Sequence, residues 1–286
     1  MSISQLDVRT LVNFRCVNRR ALQLVHSIPS YKAIVAHAPV VLRGILSIEV
    51  GRWITCDMLY DELCTAECRT CGDFGGFLYI LGTCKRVCYL CFSTEQKCYL
   101  PLSRREAMRK FGLSQKIVDG LPRMKSIPGL YTPRQEKVCE RRNLVDPESA
   151  RNTGIALHGS VQAMEQFVLQ VAVKRLQAYD ERAKIIARPR RPRTEDPFDA
   201  KTRNPSRFMA IVKAPWLDRM SQMLEWGFHC VGCGDRYSCY KRPLHWKRKF
   251  NEVSFAEHLK ECGEIRYQTH YSRRVLLHSQ PKPRFS

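Results

Sequence analysis

Apolar residues recur at helical spacing through the first sixty residues of the chain. Prolines at positions 29 and 39 punctuate this region and are well tolerated in a first helical turn. We therefore predict several short helices between residues 6 and 63, with a last one leading into Cys64. The apolar positions that carry this prediction are Leu6, Leu11, Phe14, Val17, Leu22 and Val25.

The pattern changes to strand-like alternation at Phe77–Leu81. Gly75-Gly76 precedes this run and Gly82-Thr83 follows it, which predicts a β-hairpin. Ser103 and Glu106 then form a capping-box pattern for a helix over about 103–111, and Ser114 begins another that ends by Gly120. Residues 121–133 read as irregular.

The longest helical pattern is Ser160–Ile186, which presents one apolar face for packing. An arginine- and proline-rich stretch follows it and reads as a linker or as a nuclear import signal. We expect an α+β chain, mainly α. The expected division is N-terminal helices at 1–63, a cysteine-rich module with trailing helices at 64–133, a linker and long helix at 134–187, a basic linker at 188–207, a second cysteine-containing module at 208–268 and a basic tail at 269–286.

Composition narrows the function classes. The formal charge is +21, which favours acidic partners such as nucleic acid or phosphorylated protein. No apolar run is long enough to span a bilayer, and residues 1–9 lack the features of a signal peptide, so we expect no membrane association. Fourteen clustered cysteines then indicate metal ligation in a reducing, intracellular compartment, nuclear or cytoplasmic.

Two Cys-x-x-Cys pairs face each other across the predicted hairpin. Cys68 and Cys71 form the first pair, and Cys88 and Cys91 the second, with sixteen residues between the pairs. This spacing is typical of a structural four-cysteine zinc site. Cys64 and Cys84 are alternative ligands, each four residues before a pair.

A second zinc site is predicted near the C-terminus. Its ligands are Cys230, Cys233, His258 and Cys262, because a spacing of four places the last two on one face of a helix. Ser254 and Glu257 suggest the helix start, and Gly263 its end. The segment resembles a ββα zinc finger with a cysteine for the last histidine. Twenty-four residues separate Cys233 from His258. Two of them, Cys239 and His245, are alternative metal ligands.

Both predicted sites are closed and rich in sulfur, whereas a catalytic zinc keeps an open position. We therefore expect no enzyme activity. The segment Tyr240–Phe250 interleaves five basic residues with Trp246, which suits either a solvated loop or contacts with nucleic acid.

The N-terminal segment resembles the second half of an F-box. The likeness rests on Leu6-Asp7, Leu11, Val17 and the Arg19-Arg20 pair. Four further segments make the chain similar to fungal F-box proteins with zinc-binding cysteines: Gly51–Ile54, Cys68–Tyr79, Cys84–Cys88 and Leu121–Gly129. The resemblance covers most of residues 6–133 and continues through Pro215–Leu217 and Glu225–Phe228 to Cys262.

This resemblance implies a substrate-recruiting subunit of a cullin–RING (SCF-type) ubiquitin ligase. The F-box would dock on the Skp adaptor through Leu6, Leu11 and Val17, and the rest of the chain would select a protein substrate. An F-box normally opens with a Leu-Pro pair and an amphipathic helix, whereas only Met1–Gln5 precede Leu6 here. We therefore expect this partial F-box to bind Skp weakly.

A second resemblance supports an alternative. The two Cys-x-x-Cys pairs followed by Tyr99–Phe111 look like the zinc module of the xeroderma pigmentosum group A class of DNA-repair scaffold, over about fifty residues. That likeness implies a basic, zinc-binding protein that contacts nucleic acid.

Overall fold

The computed structural model describes residues 3–94, 97–132, 135–185, 191–192, 204–234 and 245–271. Most of the predicted basic linker and nearly all of the predicted tail lie outside these ranges. The described fold mixes helices with small sheets and is mainly helical, as predicted. Its helices are α1 (Val8–Arg15), α2 (Arg19–His26), α3 (Pro29–His37), α4 (Pro39–Ser47), α5 (Cys56–Leu63), α6 (Tyr89–Ser93), α7 (Arg104–Phe111), α8 (Gln115–Gly120), α9 (Pro147–His158), α10 (Val161–Ile185), α11 (Ser206–Met209) and α12 (Glu252–Cys262).

Its strands are short and antiparallel, and the described sheets contain two or three strands each. They are β1 (Phe77–Tyr79), β2 (Lys85–Val87), β3 (Leu102–Ser103), β4 (Arg123–Lys125), β5 (Gly129–Tyr131), β6 (Glu136–Val138), β7 (Asn143–Val145), β8 (Ile211–Lys213), β9 (Trp216–Leu217), β10 (Leu224–Glu225), β11 (Phe228–His229), β12 (Lys249–Phe250), β13 (Glu264–Arg266) and β14 (Thr269–Tyr271).

The N-terminal helices form where the sequence predicts them. Side chains cap the first two: Asp7 accepts a hydrogen bond from the Thr10 amide, and Asn18 accepts one from the Ala21 amide. Prolines occupy the first turns of α3 and α4, as predicted. The inward faces of these helices share one hydrophobic core with the β1–β2 hairpin.

The predicted hairpin forms, and a distant strand completes its sheet. The strand order is β2–β1–β8, so Leu78 in β1 pairs with Arg86 on one side and with Val212 on the other. Gly82 turns the hairpin with a φ of +78°, a backbone conformation that glycine adopts readily. A strand that the sequence assigns to the C-terminal module therefore belongs to the sheet of the first module.

A buried arginine joins the two parts of the chain at this sheet. Arg86 has no exposed surface, and burial lowers the pKa of its guanidinium to about 10. Carbonyl oxygens satisfy the charge in place of water, because the guanidinium donates to the backbones of Glu62, Leu63, Gly75, Ala214 and Pro215. The end of α5 and the segment after β8 are thereby tied together.

A second, smaller core surrounds α7 and α8. Ser103 and Glu106 form the predicted capping box, and α7 ends at Gly112, which has a φ of +62°. The prediction for residues 121–133 was wrong, since this segment contains β4 and β5. Strand β4 pairs with β7 and β5 pairs with β6, and both partners lie outside residues 121–133. The sequence of this segment alone therefore does not predict the pairing.

Helix α10 has the predicted position and length. On its apolar face Met164 is buried, Val168, Val171, Ala172, Leu176 and Tyr179 are partly buried, and Phe167 is exposed. The helix packs against α9 and α7. Within the described part of the chain, no helix combines the length and the apolarity that crossing a membrane requires.

Candidate metal centres

The first predicted cysteine cluster is present in the fold. The sulfur atoms of Cys68, Cys71, Cys88 and Cys91 all lie within 4.8 Å of one another. The Cys71 and Cys88 sulfurs are 3.6 Å apart. Thiolates bound tetrahedrally at about 2.3 Å from one ion would be separated by about 3.8 Å. The cluster therefore can hold a metal ion. We call it the first centre.

Local backbone structure aims these sulfurs at one point. After Cys68 the chain turns tightly: the Gly72 amide donates to the Cys68 carbonyl at 3.0 Å, and the Cys68 amide donates to the Asp73 carbonyl at 2.7 Å. The turn needs a φ of +77° at Gly72. On the other side Cys88 caps α6, and its sulfur accepts from the Cys91 amide at 3.4 Å.

Hydrogen bonds among the cluster sulfurs shift their pKa values in both directions, downward at Cys68 and upward at Cys88 and Cys91. Hydrogen bonds with the other three sulfurs of the first centre hold the pKa of Cys68 well below its usual range. Burial instead raises the pKa of Cys84, which favours a neutral thiol. Neither Cys64 nor Cys84, the two alternative ligands, belongs to the cluster.

A second cluster brings together two cysteines and two histidines. Its members are Cys230, Cys233, His258 and His270, again with all ligand atoms within 4.8 Å. The Cys233 sulfur is 3.3 Å from Nε2 of each histidine, and the two Nε2 atoms are 3.2 Å apart. We call this cluster the second centre.

The surroundings of the two histidines suit metal binding. Nδ1 of His270 is 2.9 Å from the Gly263 carbonyl, so it carries the proton and leaves the Nε2 lone pair for an ion. His258 stacks on Phe250, with ring centroids 4.4 Å apart. Burial lowers the pKa of His258 to about 4, which favours the neutral form that a metal requires.

The sequence prediction named Cys262 as the fourth ligand, and the structure places His270 there instead. Helix α12 ends at Cys262, and Gly263 redirects the chain into the β13–β14 hairpin. That hairpin turns through Tyr267 and Gln268, both with positive φ, and returns His270 to the cluster. Non-glycine residues in such a turn give no strong sequence signal, although a histidine twelve residues beyond His258 is a visible candidate.

The remaining predictions for this module have mixed outcomes. Helix α12 begins one turn earlier than predicted, because Asn251 rather than Ser254 is its cap, and it ends at Gly263 as predicted. His245 packs with its ring 5.8 Å from that of His258 but is not a cluster member. Cys239 lies outside the described residues.

Three contacts join the two centres. Asp73, two residues after Cys71, forms an ion pair with Arg248 at 2.6 Å. The Lys247 ammonium lies 4.7 Å from the ring centroid of Tyr89, the residue after Cys88. Gly227 has a φ of +61°, and a Cβ atom there would lie 2.4 Å from the Phe74 ring. The two modules therefore pack against each other through residues that lie close to the two centres.

The three predicted Skp contacts differ in accessibility. Leu11 has no exposed surface, so it packs inside the helical core and the prediction that it contacts a partner was wrong. Leu6 is partly buried against the same core. Val17 is 68% exposed, and its neighbour Leu22, which was not predicted as a contact, is 41% exposed.

Each centre supplies four protein ligands, which fills a tetrahedral coordination sphere and leaves no position for a substrate. This arrangement suits a structural ion. No protein-family model, curated protein or solved structure matches this chain.

Proposed function

We propose that the chain is a non-catalytic, substrate-recruiting F-box subunit of an SCF-type cullin–RING ubiquitin ligase. The observation that carries the proposal is the apolar surface at the turn between α1 and α2. Val17 and Leu22 are exposed there, although both helices are firmly capped and have a buried face elsewhere. Exposed apolar side chains on an ordered surface are candidates for burial by a protein partner, and the F-box resemblance points to the Skp adaptor.

Zinc is the ion that we propose for both centres. Four thiolates, or two thiolates with two imidazoles, are donor sets that zinc binds in tetrahedral structural sites. We expect two zinc ions in the purified protein. Elemental analysis finding fewer than one zinc per chain would contradict this assignment.

The proposed recruiting role also fits the continuity of the core. Helices α1–α5 and the β1–β2 hairpin of the first centre share one set of buried side chains. The first centre in turn contacts the second through the Asp73–Arg248 pair. Skp-docking helices and a zinc-stabilised surface for an unknown protein substrate would thus keep a fixed relation.

Calorimetry with purified Skp adaptor tests the docking surface. Val17→Asp or Leu22→Asp should weaken binding at least tenfold, since burial of one such side chain contributes about 1.5–3 kcal/mol and 1.4 kcal/mol is tenfold. Val40→Asp is the matched control, because Val40 is 55% exposed on α4, a helix that packs on α3 and β8. Equal effects of all three substitutions, or no binding by the unmodified chain, would refute the Skp proposal.

A second candidate function is non-specific binding of nucleic acid. The Lys247 ammonium lies 4.6 Å from the Trp246 ring centroid, and Trp246 is 47% exposed. Exposed aromatic rings among cations are typical of single-strand binding. A titration with oligonucleotides should then show steep salt dependence and no base preference.

A further inference from the structure

A cavity of about 290 Å³ lies where α1, α7, α8 and the strands β4 and β7 meet. Two carboxylates, Glu49 and Asp119, line it together with a larger number of cations, so positive charge exceeds negative by three. A sphere of this volume is about 8 Å across, no wider than the Debye length in physiological salt, so the charges act together on one ligand. The cations are Arg9, Arg52, Arg104, Arg123 and Lys125.

Strand β4 contributes two of these cations by simple alternation. Arg123 and Lys125 flank Met124, which is 1% exposed and points into the core. Successive side chains of a strand point to opposite faces, so the two cations share the outward face, and both line the cavity together with Met124. Pairing with β7 fixes the register, with Lys125 opposite Asn143, whose amide also lines the cavity.

A close backbone approach brings two more arginines into the cavity lining. Gly51 packs so tightly on α1 that a Cβ atom there would lie 3.2 Å from both N and Cβ of Arg9. Glycine thus allows the turn that carries Arg52 to lie against the start of α1. Neither Arg9 nor Arg52 forms an ion pair with a carboxylate in the part of the chain that the structure describes.

The other two arginines share one carboxylate. Arg104 contacts Asp119 at 2.7 Å through Nη2, and Arg123 contacts it at 3.5 Å through Nη1. A guanidinium carries five N–H donors in a planar fork. Both side chains therefore retain donors that can reach a ligand in the cavity.

The backbone at Glu49 is an outlier in the same cavity lining. Its φ is +64°, a conformation that residues other than glycine adopt rarely and that concentrates at ligand sites. Its carboxylate lies 3.1 Å from the Lys125 ammonium and 3.9 Å from the Arg141 guanidinium. Glu49 thus occupies, as a resident carboxylate, the place where an incoming anion would meet Lys125.

We propose that this cavity binds a phosphate monoester, either a free phosphorylated small molecule or a phosphorylated side chain of a protein. A monoester carries close to two negative charges at neutral pH, which the excess positive charge of the lining matches. Arginine forks bind phosphate oxygens in pairs. Among the residues that the structure describes, no aromatic side chain lines the cavity. Single-strand nucleic acid sites use aromatic stacking, so a nucleic-acid backbone fits the lining less well.

The test uses the full-length, zinc-loaded chain and calorimetric titration with inorganic phosphate, a phosphoserine peptide and dimethyl phosphate. Arg52→Gln should weaken phosphate binding about tenfold, since hydrogen bonds to a charged group are among the strong ones. Glu49→Asn should tighten it severalfold, because asparagine tolerates positive φ and removes the competing charge. Arg175→Gln, on exposed α10, is the control with the same charge change outside the cavity.

Two outcomes support the site and distinguish its ligand: tighter binding of the phosphoserine peptide than of phosphate indicates a protein, and the reverse indicates a small molecule. Equal losses for Arg52→Gln and Arg175→Gln, or equal affinities for phosphate and dimethyl phosphate, would overturn the proposal. Arg9→Gln provides the same test if Arg52→Gln does not fold with two metal ions. The result is independent of Skp binding, because neither Val17 nor Leu22 lines the cavity.

Discussion

The two metal centres differ in how their ligands are distributed and in what surrounds them. All four ligands of the first centre come from residues 68–91, and three of these cysteines belong to the large core that also contains α1–α5. The second centre draws its ligands from residues 230–270, and among the described residues its core consists of Cys230, Cys233 and Phe250, with Phe255 and Ile265 packed against it. A small apolar core gains much of its stability from an added constraint such as a metal ion. A metal in the first centre thus holds part of the large core of the chain, whereas a metal in the second centre holds a small local core.

The largest expected effect is the loss of a first-centre ligand. Cys88→Ser removes one thiolate from the first centre and also changes the cap of α6. Binding of a structural zinc contributes on the order of 10 kcal/mol to folding, which is more than most domains have in reserve. We expect the hairpin, α6 and the packing of β8 on β1 to be lost together, as measured by circular dichroism and urea unfolding.

Cys16→Ser is the matched control for this substitution. Cys16 is exposed at the end of α1 and belongs to neither cluster. Its variant should unfold like the unmodified protein. If the Cys88→Ser variant also unfolded like the unmodified protein and retained two metal ions, the first centre could not be a structural metal site.

The next effect separates the predicted ligand set of the second centre from the observed one. His270→Ala should lower the metal content from two ions per chain to one, because it removes a ligand that lies within 3.3 Å of both cysteine sulfurs. Cys262→Ser should leave both ions bound. Since the second core is small, His270→Ala should disorder α12 and its neighbours while the β1–β2–β8 sheet persists.

Elemental analysis together with amide hydrogen exchange measures both parts of this prediction. Exchange should accelerate in residues 228–271 alone for His270→Ala. Loss of an ion from Cys262→Ser, with two ions retained by His270→Ala, would restore the ligand set that the sequence had suggested.

The difference between the centres also explains how far sequence reasoning reaches. A Cys-x-x-Cys pair encodes its own geometry, because two intervening residues let both sulfurs reach one ion. Cys68, Cys71, Cys88 and Cys91 were therefore predicted in full. His270 depends on where the β13–β14 hairpin turns back, and that turn is made by Tyr267 and Gln268 rather than by glycine or asparagine.

The same contrast holds for the fold. Ser103, Glu106 and Gly112 give α7 its boundaries through local hydrogen bonds, and the sequence predicts them. Pairing of β8 with β1 depends instead on contacts between residues far apart in the chain, including those of buried Arg86 with Ala214 and Pro215. The phosphate cavity is non-local too, since its cations come from residues 9 to 125.

The smallest effect concerns the coupling of the two centres through the Asp73–Arg248 ion pair. The two side chains are 9% and 20% exposed, so solvent screens the pair only partly. Coupling energies of contacting residues are about 0.5–3 kcal/mol in double-mutant cycles, and we expect at least about 1 kcal/mol here. Asp73→Asn and Arg248→Met should each lower the free energy of unfolding of the metal-loaded protein, and the double variant should lose less than the sum of the two.

The same variants test whether the centres communicate through this pair. If the Asp73–Arg248 contact holds the modules together, metal should leave the second centre faster in Asp73→Asn, although Asp73 is not among the ligands of either centre. A chromophoric chelator follows the release of each ion in time. If the two substitutions had additive effects on the free energy of unfolding and the rate of metal release were unchanged, the modules would be in contact without energetic coupling. A measurable coupling would mean that the first centre, which the sequence encodes locally, helps to hold the second, which it does not.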